Sequence, residues 1–382
     1  MPATLSLAIT ILSYFVLYGP QPLLPRLGDT FGVSESQTAL LMTLTLLPLG
    51  VAPIAYGAVL SRVSSRNVLL AGVAGLGVAS ILFGAVGQFG ALLALRLVQG
   101  LLLPAVLTAM MTALSERTEK SRMQRVMSAY IASTIVGGLG GRLISGTFAT
   151  YAQWPEFFFL VGAGLLATLP FLWRTPSGSA ARDERITLRG LREVWVRDRN
   201  WQMYAAIFCL FFVFVGVLNF LPFRVRQLHP GASEFTIGLI YTGYVMGIAT
   251  ALGTRRIIAV LGSARRARVA GYTIYAASLA PMLLPSLAAL FASIFGFCLG
   301  MFLVHSIASA TVNQSGGRQR GMVNGLYVSS YYAGGVLGSY LPGLILERVG
   351  WTPMVATLAA VAALGVVLIA LPRPDHGDAA AV

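Results

Sequence analysis

The chain has 382 residues, of which 56% are hydrophobic and only 10% are charged. A soluble globular protein carries roughly 25% charged residues, so this chain lacks the polar surface that a soluble fold requires. Its net charge of +14 would suggest nucleic acid in a soluble protein, but the basic residues cluster in short connections between apolar runs. That pattern is typical of cytoplasmic loops that face anionic lipid. The composition therefore predicts an integral membrane protein with no nucleic-acid partner.

Apolar runs of about 20 residues recur along the chain, and each is long enough to cross a bilayer as a helix. The runs are continuous rather than alternating, which favours helices over the strands of a membrane barrel. The first run lacks a positive leading segment and a small-residue cleavage site, so we expect a retained helix and not a signal peptide. The predicted spans cover residues 5–23, 37–60, 68–87, 90–114, 127–149, 156–173, 202–222, 236–254, 269–286, 288–312, 322–345 and 351–371.

The distribution of arginine and lysine predicts the orientation of these twelve helices. With the N-terminus inside, 21 of the 27 basic residues fall on the cytoplasmic side, 4 on the opposite side and 2 within helices. This asymmetry places both termini in the cytoplasm.

A polar and charged connection, residues 174–200, divides the chain into six helices and six more. We therefore predict an N-terminal bundle at 1–173, a cytoplasmic loop at 174–200, a C-terminal bundle at 201–371 and a cytoplasmic tail at 372–382. The middle of the loop, "ITLRGLREVWV", has apolar residues at helical spacing and predicts a short helix on the membrane surface.

The two halves also repeat a motif. "GVSE" from Gly32 and "GASE" from Gly231 start 199 residues apart, and each follows a span that ends in Leu-Pro. In each copy the serine is placed to cap the next helix. Two parallel six-helix halves with a site between them are typical of secondary transporters.

A basic loop motif follows the second span and has a partial copy after the eighth. The first copy is "GAVLSRVSSR", in which Ser61 precedes the first arginine. The second is "RRIIAVLGSARR", with Ala259 at the equivalent position. Both copies keep a glycine and the arginines that follow it: Gly57, Arg62 and Arg66 in the first, Gly262, Arg265 and Arg266 in the second.

Two helix motifs accompany these loops. The fourth span contains "LLALRLVQG", with Arg96, Gln99 and Gly100, and the fifth contains "VGGLGGRLISG", with Gly140, Gly141 and Arg142. Together with "NGLYVSSYYAGG" and "QPLLP", these motifs resemble the major facilitator superfamily over nearly the whole chain. Within it they are similar to bacterial drug:proton antiporters and arabinose-efflux-like permeases.

The resemblance implies an all-α integral membrane fold with twelve transmembrane helices in two pseudo-symmetric six-helix bundles. It also implies a multi-pass protein of the bacterial cell inner membrane. In that family the loop motif is implicated in gating on the cytoplasmic side, and the fourth-helix arginine is linked to proton coupling. The glycines of the fifth helix are expected to let helices approach closely.

Arg96 and Arg142 are the unusual residues of the spans. A charge within a bilayer is expensive, so both should face the protein interior or an aqueous cavity. No Asp or Glu lies in the interior of any predicted span. Carbonyls, water or an anionic substrate must therefore offset the two cations. Either Gln99 and helix carbonyls hold them as structural groups, or they meet the ligand.

His305 is the remaining titratable candidate within a span, because its unperturbed pKa lies near neutrality. It is either a hydrogen-bonded packing residue or a proton carrier. Further polar and aromatic side chains suit a small organic ligand, although tyrosines also serve as membrane-interface anchors. These candidates are Tyr14, Asn219, Asn324, Tyr327 and Tyr331.

The sequence contains no nucleotide-binding glycine loop, metal cluster or catalytic set, so we expect neither an enzyme nor a cofactor or metal. We predict a monomeric secondary transporter that exports a small organic molecule by alternating access, coupled to protons by antiport, in contact with membrane lipids. One alternative is uptake or exchange of an organic anion bound by Arg96 and Arg142. A second is a receptor or membrane scaffold that does not transport.

Overall fold

The computed structural model describes residues 3–60, 63–118, 120–175, 195, 200–315 and 320–371. Over these residues every regular element is a helix. Seven of the described helices are long and apolar enough to cross a membrane, or eight if one bent pair forms a single span. The all-helical membrane class is confirmed, while the count of twelve helices and the orientation of the termini stay predictions. Arg62, the tail and all of the predicted surface helix except Trp195 lie outside the described residues.

The helices follow the predicted spans along the chain. The first part contains α1 (Ala3–Tyr18), a 3-10 turn (Gln21–Leu23), α2 (Leu24–Phe31), α3 (Glu35–Leu60), α4 (Ser65–Ala85), α5 (Phe89–Arg117), α6 (Lys120–Tyr151), α7 (Trp154–Ala167) and α8 (Leu169–Trp173). The second contains α9 (Asn200–Leu228), α10 (Glu234–Leu239), a 3-10 turn (Ile240–Tyr244), α11 (Val245–Leu261), α12 (Ala264–Ala277), a 3-10 turn (Ala280–Leu283), α13 (Leu287–Ser315), α14 (Arg320–Val349) and α15 (Trp351–Ala370).

Two compact units result from the packing. Unit 1 comprises Met1–Asp183 together with Gly231–Tyr241, and unit 2 comprises Glu184–Pro230 with Thr242–Val382. Gly231–Tyr241 follows the chain midpoint but packs within unit 1, mainly through α10 on α6. The predicted bundle boundaries themselves stay predictions. In unit 1 the closest helix pairs include α3 with α5 and α1 with α6, and in unit 2 they include α9 with α14.

Several predicted helix ends were wrong, for identifiable reasons. The first helix ends at Tyr18, since Pro20 cannot donate to the helix, and the chain then forms a new helix, α2, where a loop was expected. The helices α5 and α6 extend beyond the apolar runs, because arginine is a good helix former once the chain leaves the hydrocarbon. Arg117 and Lys120 are therefore the end residues of helices and not parts of a loop.

Serine caps confirm the internal repeat. The Oγ atoms of Ser34 and Ser233 accept hydrogen bonds of 3.3 and 3.2 Å from the backbone N–H three residues later. A second pair at the same spacing, Ser64 and Ser263, caps α4 and α12 at 3.4 and 3.1 Å. Each cap satisfies one of the donors that the first turn of a helix leaves open.

Two arginines of the loop motif, Arg66 and Arg265, cap the C-terminal ends of other helices. Arg66 donates a 2.5 Å hydrogen bond to the carbonyl of Trp173, the last residue of α8. Arg265 donates one of 2.6 Å to the carbonyl of Ala370, the last residue of α15. A cation at a helix C-terminus pairs with carbonyls that have no helical donor. Each loop is thereby tied to the end of the last helix of its half.

Glycines set how closely the helices of unit 1 approach. A Cβ on Gly100 would lie 2.7 Å from the carbonyl oxygen of Thr45, and a Cβ on Gly141 would lie 2.9 Å from Cα of Phe15. One on Gly140 would meet the Phe15 ring at 3.0 Å. A Cβ at any of these three positions would therefore crowd a neighbouring helix, and the expected packing role of the glycines stays a prediction. Gly262 serves differently: it ends α11 at a φ of 79°, in the left-handed region that favours glycine.

Candidate functional site

Arg96 is enclosed within unit 1, with 0% of its surface exposed. Its Nε donates to the carbonyl of Leu41 on α3 at 2.8 Å. Its terminal nitrogens donate to the carbonyls of Val16 and Leu17 on α1, at 2.8 and 2.9 Å, and to Oε1 of Gln99 at 2.8 Å. The Gln99 amide in turn donates to α4 at 3.3 Å. Arg96 and Gln99 together therefore join α1, α3, α4 and α5, and Arg96 faces the protein interior, one of the two surroundings expected from the sequence.

The acceptors on α1 explain why an arginine is stable at this depth. Val16 would normally receive a helical hydrogen bond from the residue four positions later, but that residue is Pro20, which has no N–H. Arg96 supplies the missing donor. Because helix C-termini carry partial negative charge, the cation also complements the end of α1 electrostatically.

Arg142 on α6 is also fully buried, and it lies between two aromatic rings. Its guanidinium carbon is 4.0 Å from the centroid of Tyr18 and 4.9 Å from that of Tyr241. Its Nε donates to Oε1 of Gln21 and a terminal nitrogen donates to the carbonyl of Gly138, both at 2.6 Å. Aromatic faces attract cations through their quadrupole, most strongly where water is excluded.

Both buried arginines therefore contact the same short piece of chain, the end of α1 and the turn after it. Arg96 bonds to the carbonyls of Val16 and Leu17, and Arg142 contacts the Tyr18 ring and the Gln21 amide. Carbonyls, amide oxygens and ring faces offset the two charges where the sequence offers no acid. The arrangement stabilises unit 1 and does not need a bound anion.

The segment Gly231–Tyr241 is attached to α2 and α6 by polar contacts at its start. Glu234 lies 3.5 Å from Arg26 in a salt bridge, and Arg26 also donates to the carbonyl of Ala149 at 2.6 Å. The Phe235 N–H donates to Oγ1 of Thr150 at 2.9 Å. Tyr241 at the end of the segment completes the aromatic sandwich around Arg142. The segment is thus fixed to unit 1 at both of its ends.

His305 and two predicted tyrosines come together in unit 2. The Tyr327 hydroxyl lies 3.0 Å from Nδ1 of His305 and 3.3 Å from the His305 carbonyl. The ring of Tyr331 is centred 4.9 Å from the imidazole. Asn324, Tyr327 and Tyr331 lie at i, i+3 and i+7 of α14, so one face of that helix presents them.

Aromatic rings continue this cluster towards α9. Tyr331 stacks on Phe211 with centroids 3.6 Å apart, and Tyr332 meets both rings edge-on. His305, Tyr331 and Tyr332 each keep part of their surface exposed, whereas Phe211 and Tyr327 are buried. The cluster therefore has a wall of stacked rings, an imidazole and tyrosine hydroxyls, which is a composition suited to small organic ligands.

Two other predicted candidates are placed apart from this cluster. Tyr14 is on α1 in unit 1, half-buried, with its ring 6.0 Å from that of Tyr18. Asn219 is fully buried on α9 and its amide lies 3.4 Å from the carbonyl of Ser339 on α14, which is a contact within the packed interior of unit 2.

The sequence did not single out Tyr241 or Phe211. Each lies in a run of apolar residues, where an aromatic ring carries no periodic signal that separates a contact with a cation or a histidine from ordinary packing. Among the described residues, no group of three or more His, Cys, Asp or Glu side chains is placed to hold a metal ion.

Comparison with known proteins gives consistent results. The family model described as Major Facilitator Superfamily matches residues 6–314 and 231–381. The chain is 26% identical to the inner membrane transport protein YnfM of Escherichia coli, over 94% of this chain and 87% of that protein. It is 25% identical to a chloramphenicol resistance protein of Pseudomonas aeruginosa, over 94% and 87%.

The fold also matches a solved structure. A bacterial homologue of the human lysosomal transporter Spinster superimposes with a TM-score of 0.75 at 15% identity, covering 96% of this chain and 93% of that one. At this identity the match concerns the fold.

Proposed function

Since the chain belongs to the Major Facilitator Superfamily and is a membrane transporter, we propose that it exports a neutral, aromatic organic molecule by proton-coupled antiport. The contact that carries the proposal is the one between His305 and the tyrosines of α14. A titratable imidazole lies 4.9 Å from the partly exposed ring of Tyr331 and 3.0 Å from the hydroxyl of Tyr327. A proton carrier and a surface for an aromatic substrate are thus adjacent.

The substrate class follows from the surroundings of this histidine. Stacked rings such as Tyr331 and Phe211 favour a planar or aromatic group through offset or edge contacts. The imidazole and the tyrosine hydroxyls of the cluster would orient such a ligand by hydrogen bonds. The similarity to a chloramphenicol resistance protein supports a drug-like neutral aromatic compound, and chloramphenicol itself is a suitable first probe.

The proton role follows from what His305 can do chemically. An imidazole can take up and release a proton, and its second nitrogen is separate from the Nδ1 that pairs with the Tyr327 hydroxyl. Binding of a proton would place a cation against the ring of Tyr331 and weaken the site for a neutral ligand that competes for the same face. An antiporter requires that the proton and the substrate occupy the site in alternation, and this competition would provide that.

The organic-anion alternative has less support. It requires Arg96 or Arg142 to meet the ligand, but both are fully buried and already donate to carbonyls and to Gln21 or Gln99. An anion would have to displace these contacts and reorganise the end of α1.

The test uses proteoliposomes loaded with radiolabelled chloramphenicol. An outside-acid pH gradient should accelerate its loss from wild-type vesicles, and collapse of the gradient with a protonophore should remove the acceleration. If chloramphenicol leaves the vesicles at the same rate with and without the pH gradient, transport is not coupled to protons. Benzoate, loaded in parallel, examines the alternative: gradient-independent transport of benzoate that is abolished in Arg142→Gln would favour the anion transporter instead.

A further inference from the structure

An apolar groove lies on the surface of unit 1, at the end where Arg66 caps α8. Its volume is about 570 Å³. It is lined by side chains of α4, α7 and α8, namely Leu70, Ala71, Ala74, Leu166, Leu169, Pro170 and Trp173. We propose that this groove binds an anionic phospholipid, with an acyl chain along the apolar walls and the phosphate at the guanidinium of Arg66.

The walls identify the apolar part of the ligand. Both α4 and α7 belong to segments long and apolar enough to cross a membrane, so the groove opens towards hydrocarbon. Its lining residues carry aliphatic or aromatic side chains throughout. An acyl chain is the apolar molecule that is present at this surface in large excess, and burying it requires no polar partner.

The mouth of the groove identifies the headgroup. The Arg66 guanidinium lies 5.3 Å from the centroid of the Trp173 ring and donates to the Trp173 carbonyl. The ring is 68% exposed, which matches a tryptophan at the level of the headgroups. The two contacts hold the guanidinium at the edge of the groove, where it can pair with a phosphate.

The charge of the neighbouring chain favours an anionic headgroup. The stretches "SRVSSRN" at 61–67 and "WRT" at 173–175 contain three arginines and no acid. The start of α4, at Ser65, adds the positive end of a helix dipole. A zwitterionic headgroup would bring its own cation towards this surface, so it should bind less well.

The repeat provides a matched control. Arg265 occupies the equivalent position in unit 2 and donates in the same way, to the carbonyl of Ala370. Ala370, which Arg265 caps, has no ring and does not line the groove, whereas Trp173, which Arg66 caps, does. Replacing either arginine removes one positive charge and one helix cap, but only Arg66 should affect a lipid in this groove.

The experiment is native mass spectrometry of the full-length protein in detergent, titrated with dioleoyl phosphatidylglycerol or dioleoyl phosphatidylcholine. Wild type should retain more phosphatidylglycerol. Arg66→Gln should lower its apparent affinity about fivefold, the factor expected for one basic residue at an anionic lipid surface, whereas Arg265→Gln should leave it unchanged. Ala74→Phe, which fills the groove, should reduce retention of both lipids.

Three results would overturn the proposal. They are equal retention of the two lipids by wild type, equal losses in Arg66→Gln and Arg265→Gln, and unchanged binding in Ala74→Phe. The unfolding temperature of each variant, measured in the same detergent, separates loss of the lipid from loss of the fold. The proposal depends on membrane insertion only and stands whether or not the chain exports a drug.

Discussion

Arg96 donates a 2.8 Å hydrogen bond to the carbonyl of Val16, whose usual helical donor is missing because Pro20 occupies that position. The arginine acts as a C-terminal cap for α1 from a different helix, and the same group bonds to α3 and to Gln99. It is therefore a structural centre of unit 1, whatever part it also plays in transport.

The first prediction concerns the stability that this cap supplies. Arg96→Lys keeps the charge but replaces a planar fork of five donors with a single ammonium, which cannot reach α1, α3 and Gln99 together. We expect the free energy of unfolding to fall by about 2–3 kcal/mol. The fluorescence of Trp154, which packs on Phe83 in the same unit, can report the unfolding temperature.

Arg122→Lys is the control, since that side chain is exposed. It should leave the unfolding temperature at the wild-type value. If Arg96→Lys also left the unfolding temperature unchanged, the hydrogen bonds to α1 and α3 would not be holding these helices together.

The second prediction concerns the aromatic sandwich around Arg142. Tyr241→Phe retains the ring, so the cation keeps its partner, while Tyr241→Leu removes it. We expect Tyr241→Leu to cost about 1–2 kcal/mol of stability, as for a desolvated cation–π contact, and Tyr241→Phe to cost clearly less.

A double-mutant cycle with Arg142→Gln isolates the interaction itself. The effect of Tyr241→Leu should largely disappear when the guanidinium is absent. An undiminished effect in the Arg142→Gln background would mean that the Tyr241 ring stabilises unit 1 by packing alone.

These contacts show which features the sequence could predict. Long apolar runs, serine caps and the glycine spacing of α6 are local properties, and each was reproduced by the structure, as at Ser34 and Gly141. The pairing of Arg96 with Gln99 was also accessible, because residues three apart share a helix face.

The other contacts of the two buried arginines could not be predicted, because they involve groups that the sequence pattern does not distinguish. Arg96 is held mainly by main-chain carbonyls. Because every residue has a main-chain carbonyl, the order of side chains in the sequence does not indicate which carbonyls will accept these hydrogen bonds. The position of Tyr241 over Arg142 depends on the packing of Gly231–Tyr241 with unit 1, which the order of the chain does not suggest. The Gly19-Pro20 pair was a local signal that the first helix would end before residue 23.

The third prediction concerns close approach between α1 and α6. An alanine at position 141 would bring its Cβ to 2.9 Å from Cα of Phe15, and main-chain atoms cannot move away as a flexible side chain can. We expect Gly141→Ala to destabilise unit 1 by about 1–3 kcal/mol, as overpacking does in other tightly packed interiors.

Gly90 gives the opposite expectation at a helical glycine in open space. A Cβ there would meet nothing within 4 Å, so Gly90→Ala should stabilise the protein by about 0.4–1 kcal/mol through the unfolded chain. If Gly141→Ala lowers the unfolding temperature and Gly90→Ala raises it, the distance from the added Cβ to its neighbours determines the stability effect, and the loss of a glycine alone does not. Matching signs would refute the packing argument for α1 and α6.

The fourth prediction concerns the ligand surface of unit 2, and it follows from the proposed function. Tyr331 stacks on Phe211 at 3.6 Å and faces His305. Tyr331→Leu removes the ring that a bound aromatic group would contact, so the half-saturating concentration of chloramphenicol should rise about threefold to tenfold. Tyr331→Phe keeps the ring and should stay close to wild type.

His305→Gln separates binding from coupling at the same cluster. Glutamine can still hydrogen-bond to Tyr327 but cannot carry a proton between pH 5 and 8. Chloramphenicol should therefore still bind and equilibrate across the membrane of proteoliposomes, while an outside-acid gradient should no longer accelerate its loss. Retention of the full acceleration in His305→Gln would assign proton coupling to another group. If His305→Gln abolished binding as well as coupling, His305 would instead be a residue that contacts the ligand. A residue that only carries the proton should affect coupling and leave chloramphenicol binding intact.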